Sequence, residues 1–124
     1  MLPIAFAYTT LNTFSSFGYK YGPIITSDVI IDLRRIIPIS DFEFWLTGQD
    51  VEVKSRLLSE YGHIFGSLQD FIEDMLVEDR ALTFAFGCTS GRHRSVAVAE
   101  ILAERLEFDP PYHRDLLKGL VPHG

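Results

Sequence analysis

Residues 81 to 106 constrain this chain more than any other stretch: ALTFAF, then GCTSGRHRS, then VAVAEILAERL. Ala81–Phe86 is an apolar run of strand length carrying Thr and two Phe, and it predicts a buried strand. Gly87–Ser95 holds two glycines, the hydroxyls of Thr89 and Ser90, and three side chains able to carry positive charge, the composition of a tight polar loop. From Val96 onward, Val98, Ile101, Leu102 and Leu106 recur at helical spacing, with Glu100, Glu104 and Glu107 on another face. Ser95 is the expected N-cap, because its hydroxyl can accept from the free N–H groups of the turn that follows.

A glycine-containing loop between a buried strand and a helix N-terminus is a ready anion site, since free N–H groups and the helix dipole both present positive charge there. Gly87 and Gly91 are expected to let backbone approach a ligand. Thr89 and Ser95 would add hydroxyl donors, and Arg92, His93 and Arg94 charge-assisted ones. The alternative is a plain strand-to-helix turn whose arginines face water.

The chain has 124 residues, 47% of them hydrophobic, so one globular domain over residues 1–124 is expected. No apolar run approaches the length that spans a bilayer. The start, MLPIAFAYTT, lacks the basic opening and small-residue cleavage site of a secretory signal. One cysteine cannot staple a fold, no Cys/His cluster has zinc spacing, and no cofactor motif stands out, so a reduced, cytoplasmic setting is expected. The formal charge of −6 argues against a broad nucleic-acid surface, whose non-specific affinity comes from neutralising phosphates. It leaves room for a local basic pocket, because Arg34, Arg35, Arg92, Arg94 and Arg114 fall near predicted strand ends.

Taken in order, Tyr8–Phe17 is rich in Thr and aromatics and reads as a strand ending at Gly18. GYKYGP follows as loop. Lys20, between Tyr19 and Tyr21, is either an anion ligand or an exposed lysine stacked on tyrosines. Asp28–Arg34 reads as a second buried strand. Asp32 and Arg34 share a face by the period of two, as a local ion pair or as part of a ligand pocket. Residues 35 to 48 form an irregular connection in which Trp45 is expected to lie partly buried over the core. Asp50 can cap a helix through Tyr61, and a second helix follows Gly62 with Ile64, Phe65, Leu68, Phe71, Ile72, Met75 and Leu76 as one apolar stripe. His63 reads as a surface or capping residue. Phe108–Pro111 is a turn, Tyr112–Leu116 a short strand or helix start, and the final LVPHG a frayed end. Strands separated by helices predict an α/β layer structure: a mainly parallel sheet flanked by helices.

Beyond this physical reading, GCTSGRHRSV over Gly87–Val96 resembles the GCTGGxHRSV loop of the C-terminal domain of the RNase adapter RapZ (the YvcJ-type family), with Ser90 where glycine is usual. Ser16–Gly22 resembles that family's SFGFKYG, Asp32-Leu33-Arg34 its DVR, Thr47-Gly48 its TG before a helix, and His113–Leu116 its HRDL. The similarity runs in matching order over about residues 12–117. It implies a fold like a phosphofructokinase subdomain, a homo-oligomer, and a domain that binds a small regulatory RNA and senses glucosamine-6-phosphate. Lys20, Arg34, His113 and Arg114 are expected to join the loop as ligand-binding residues, the last two closing the far side or coming from a neighbouring subunit. Full-length members carry an N-terminal nucleotide-binding domain with a GxxxxGK[ST] loop, absent from this sequence, so nucleotide hydrolysis is not expected. Arg35–Ser40 replaces the family's FLPNPHW-like segment and its histidine, and no basic tail follows.

The same loop admits a different chemistry. Cys88 and Arg94 stand as Cys-x5-Arg with Ser95 after, the spacing of cysteine phosphatases, in which loop N–H groups and the arginine bind phosphate oxygens and their field favours a nucleophilic thiolate. Ser95 would assist departure of the thiolate, and Asp32 or Asp41 would be the acid for the leaving oxygen. A third reading makes the chain a protein-interaction module, using its acidic helices or the Trp45 loop. The reading adopted is non-enzymatic binding of a phosphorylated small molecule, of sugar-phosphate type, at the Gly87–Ser95 loop.

Overall fold

In the computed structural model, which describes residues 12–76 and 80–119, alternation along each strand decides what faces the helices. The strands are β1 (Thr13–Gly18), β2 (Val29–Asp32), β3 (Thr83–Cys88) and β4 (Tyr112–His113); the helices are α1 (Val51–Met75) and α2 (Arg94–Leu106). All pairings are parallel, in the order β2-β3-β1-β4, with Phe14 opposite Phe84 and Val29, and Ser16 opposite Phe86, Ile31 and His113 along the shared register. The α/β expectation with a parallel sheet holds.

Phe14, Phe84 and Phe86 point into the helical layer and are buried. Phe14 meets Phe84 and Phe86 edge to face, with ring centroids 5.6 and 5.0 Å apart, geometry that adds about 0.5–1.5 kcal/mol per pair beyond area burial. Helix α2 packs along β1 and β3, and α1 packs along α2. The sequence pattern divides α1 at Gly62, and the structure agrees: two helical segments join end to end at a kink where Tyr61 leaves helical geometry (φ −129°, ψ 26°). Val53, Leu57, Phe65 and Ile72 form its buried stripe, while Phe71 is 44% exposed. Asp50 occupies the N-cap position, but its carboxylate accepts the Thr47 N–H at 2.7 Å and caps no N–H of the first turn.

The buried-strand reading of 28–34 is corrected. β2 is a sheet edge, half exposed at alternate residues, with Ile30 40% exposed. The physical reason is the connection from β1 to β2, which has a single 3-10 turn (Tyr19–Tyr21) and no α-helix: Pro23–Ser27 lies over the face carrying Ser15 and Thr83, across a cleft of about 490 Å³. Parallel sheets usually bury both faces under helices, and this one has helices on one side.

The expected first strand also begins later: residues 8–11 lie outside the described ones, as do the apolar start and the terminal 120–124. His63 is exposed as expected. Among the described residues no helix is long and apolar enough to cross a membrane.

Candidate functional site

The C-terminal ends of β1, β2 and β3 bring three loops together, the usual place for a ligand in open parallel sheets. β3 runs on through Gly87 and Cys88, two residues past the expected strand end, and α2 begins at Arg94. The loop proper is therefore Thr89–His93. Leu33 N–H donates to Gly87 O at 2.8 Å and Lys20 N–H to Thr89 O at 3.1 Å, so the β2 and β1 loops are both tied to it.

Ser95 is not the N-cap. His93 holds that position without a side-chain cap, and Ser95 sits fully buried in the first turn of α2. Its N–H donates to Cys88 Sγ at 3.4 Å, and the Cys88 thiol donates to Ser95 Oγ at 3.1 Å. The expected cap is displaced because the buried thiol offers this hydroxyl a partner inside the protein.

Three of the loop's carbonyls are occupied: Thr89 O by Lys20 N–H, Arg92 O by Gly48 N–H at 2.9 Å, and His93 O by Ala97 N–H at 3.0 Å. Among the described residues, the N–H groups of Ser90, Gly91, Arg92 and His93 have no acceptor in the protein. Four successive unpaired donors precede a helix N-terminus, with Gly91 left-handed at φ 74°, the kind of backbone arrangement that can hold an anion.

Beside them lies a cavity of about 270 Å³ lined by Ser40, Phe42, Cys88, Thr89, Ser90, His93 and Arg94. Arg94 is 5% exposed. Its guanidinium donates to Ile37 O at 2.9 Å, to Thr89 Oγ at 3.2 Å and, more weakly, to Arg34 O at 3.4 Å. Arg94 thus joins the 34–37 segment to the loop while presenting a cation to the cavity. His93 stacks on Phe42 (centroids 5.3 Å, 24° between planes) and its Nε2–H donates to Glu43 O at 3.2 Å. Burial holds its pKa below the usual 6.5, against the opposing pull of its backbone hydrogen bonds to Glu43 and Leu46. His93 therefore enters neutral at pH 7, as a donor and stacking wall, where the sequence suggested a cation.

The other residues singled out by the sequence have different company. Arg92 is 8% exposed, and its Nε donates to Leu46 O at 3.3 Å, bracing the 38–46 segment. Gly87 does not reach for a ligand: a Cβ there would lie 2.6 Å from Tyr19 Cε2 and would strike the Phe17 ring. Arg34 stacks over Tyr19 at 3.7 Å and pairs with Asp32 at 2.8 Å, the local ion pair, at side-chain exposures of 43% and 41%. The Arg34 hydrogen bonds outweigh partial burial and hold the Asp32 carboxyl below its ordinary value, while burial, with the Asp32 charge assisting, raises the Tyr19 hydroxyl. Lys20 is exposed, with Nζ 5.2 Å from the Tyr21 ring centroid. His113 turns to the helical side: Ser16 Oγ is 2.6 Å from Nδ1, and Nε2–H donates to Glu100 Oε2 at 2.8 Å. Arg114 grips Asp115 and Gly22 O. Asp41 pairs with Arg56 at 3.1 Å. None of these lines the cavity of Phe42 and Arg94. Trp45, expected partly buried, is 62% exposed beside Phe44 at 70%; the segment between Pro38 and Leu46 spends its apolar contacts on Ile39, Phe42 and Leu46 instead.

The sequence model of the RapZ C-terminal domain matches residues 10–116. The chain belongs to the RapZ C-terminal domain family. It is 40% identical over 111 residues to a nucleotide-binding protein of Mycolicibacterium smegmatis, covering 82% of this chain and 38% of that one. It is 42% identical over 100 residues to a nucleotide-binding protein of Thermus thermophilus, covering 73% and 36%. The chain thus spans well under half the length of these relatives.

Within this RapZ C-terminal-type domain, sequence reasoning missed Ser40, Phe42, Glu100 and Asp115. Glu100 reads as solvated from helical periodicity, yet it gathers Lys54 Nζ at 2.8 Å, Gln49 Nε2 at 2.9 Å and His113. Burial pushes its carboxyl up, and these donors outweigh that and leave it below its ordinary value. Only the tertiary approach of β4 reveals it. Among the described residues no cluster of His, Cys, Asp and Glu is placed to hold a metal.

Proposed function

We propose that this domain binds a phosphorylated small molecule of sugar-phosphate type without turning it over, with the phosphoryl group in the Ser90–His93 N–H cradle and Arg94 as its cation. The observation that carries this reading is the row of four unpaired N–H groups whose two ends, Ser90 and His93, line a cavity together with Arg94. A cavity of about 270 Å³ suits a phosphate with a small polyol better than a dinucleotide. The relatives' description as nucleotide-binding proteins agrees with a phosphoryl-bearing ligand somewhere in those longer chains. The regulatory RNA partner and the oligomer implied by the family are part of the same proposal. At a net charge of −6, RNA engagement would depend on local basic groups such as Lys20 and Arg34.

One observation favours a cysteine-phosphatase reading: the Cys88 thiol is hydrogen-bonded to Ser95 at both its N–H and its hydroxyl. The reading lacks its acid, because Asp32 and Asp41 are engaged by Arg34 and Arg56 away from the cavity.

Thermal melts against inorganic phosphate, sugar phosphates, nucleotides and short RNAs separate these readings. A saturable upward shift with a sugar phosphate and no phosphate release supports sensing. Aryl-phosphate turnover abolished by Cys88→Ser replaces it with an enzyme. No shift with any phosphate-bearing probe overturns it in favour of an interaction module.

A further inference from the structure

A single buried carboxylate at the end of the described chain holds the loop from behind. Asp115 has no exposed surface. Its Oδ2 accepts the Gly18 N–H at 2.7 Å, Arg114 donates to both oxygens at 2.9 and 2.8 Å, and Lys118 Nζ lies 2.7 Å from Oδ1. Gly18 in turn is pressed against the loop: a Cβ on it would lie 2.5 Å from Ser90 O and 2.6 Å from Gly91 N. Gly91 faces the same crossing from the other side, 2.5 Å from Gly18 N and 3.0 Å from Asp115 Cβ for a Cβ built on it. The Gly18 backbone, the Ser90–Gly91 backbone and the Asp115 side chain therefore meet where the N–H cradle begins, and the carboxylate fastens the Gly18 strand of that crossing.

We infer that Asp115 is the positioning residue of the anion loop: by holding the Gly18 backbone against Ser90–Gly91 it makes the cradle N–H groups converge, and Arg114 and Lys118 serve this carboxylate, not the ligand. The inference rests on the phosphoryl-binding reading. It also removes Arg114 from the ligand set that the sequence suggested. A buried carboxylate with two cationic partners and a backbone donor has its charge more than offset and its oxygens hydrogen-bonded, so it can be held in one place.

The test compares the full chain with Asp115→Asn and Lys118→Ala, using two readouts at a temperature where each variant is folded by circular dichroism. One is the dissociation constant for inorganic phosphate by calorimetry. The other, without ligand, is the rate at which a thiol reagent labels Cys88, the chain's single cysteine. Asp115→Asn is expected to weaken phosphate binding about tenfold and to speed labelling several-fold, with Lys118→Ala moving both in the same direction by about twofold. Direct ligation by Arg114 predicts the opposite sign, because Asp115→Asn frees that guanidinium and removes a nearby negative charge. Phosphate binding unchanged or tightened in Asp115→Asn overturns the inference, as does unchanged labelling. Should Asp115→Asn not fold, an unmoved Lys118→Ala overturns it. If the unaltered chain binds no phosphate while Asp115→Asn still speeds labelling, the ligand reading fails and the positioning of the loop by Asp115 stands.

Discussion

Replacing Arg94 by alanine tests the structural and the ligand role of one side chain together. The guanidinium is 5% exposed and makes two well-formed bonds, to Ile37 O and Thr89 Oγ, and a longer one to Arg34 O. A hydrogen bond from a charged donor contributes about 1.5–3 kcal/mol, and removing the donor leaves a buried carbonyl without its partner. The longest bond adds little, and water entering the vacated space recovers part of the loss. The expected cost is therefore about 2–4 kcal/mol. A chain of 124 residues has a stability on the order of 6–18 kcal/mol, so the variant still folds. At roughly 3–5 °C per kcal/mol its midpoint falls by about 10 °C. Urea denaturation followed by circular dichroism measures the loss; melts with and without a saturating sugar phosphate measure the ligand term. Arg94→Ala is expected to lose both stability and the ligand-dependent shift. Arg94→Lys, a point charge without the guanidinium fork, should keep part of the shift and little of the bracing. A stability loss under about 0.5 kcal/mol, within the range of an ordinary surface substitution, would refute the bracing role. A retained ligand shift would refute Arg94 as the phosphate's cation.

Acid titration should expose Asp115. Its carboxyl is held at about 2 against an ordinary 3.8: burial pushes it up, and Arg114, Gly18 N–H and Lys118 together pull it down further. With the folded value depressed, the contribution of about 2 kcal/mol is present above pH 4 and is lost as pH falls through about 4 to 2. Asp115→Asn should flatten that part of the stability–pH curve, and an unchanged curve would contradict the assignment. His93 acts at milder acidity. Its folded value lies below the unfolded 6.5, so the unfolded chain binds more protons in that window and stability declines as pH drops through it; urea midpoints for His93→Gln should lack this decline. Glycines separate by what surrounds them. A Cβ on Gly48 would overlap His93 O and Ala97 N, so Gly48→Ala should cost more than about 3 kcal/mol or prevent folding. Gly66, inside α1 with nothing within 4 Å of the added atom, should gain about 0.5–1 kcal/mol as alanine in the same denaturation assay.

Periodicity and turn chemistry are local properties, and what depends on them was legible in the amino-acid order. The strand–loop–helix of 81–106, the apolar stripe of α1, the parallel α/β class and the family follow from runs of residues close in sequence. So does the cationic GRHRS loop as the place to look for an anion. What the order of residues could not carry is who stands opposite whom. Ser95 looks like a cap until a buried thiol from the strand end claims its hydroxyl. Arg92 and Arg94 look like free cations until the carbonyls of Leu46 and Ile37, dozens of residues away, meet their guanidiniums. Gly87 looks like a ligand-facing glycine until the Phe17 ring occupies its open side. Glu100 looks like a solvated acid until His113 is brought to it, and Asp115 carries no signal of its own until Gly18 meets it. A residue type carries its donors and charge in the sequence itself, but the partner that uses them is supplied by chain crossings whose register is set only when the core packs.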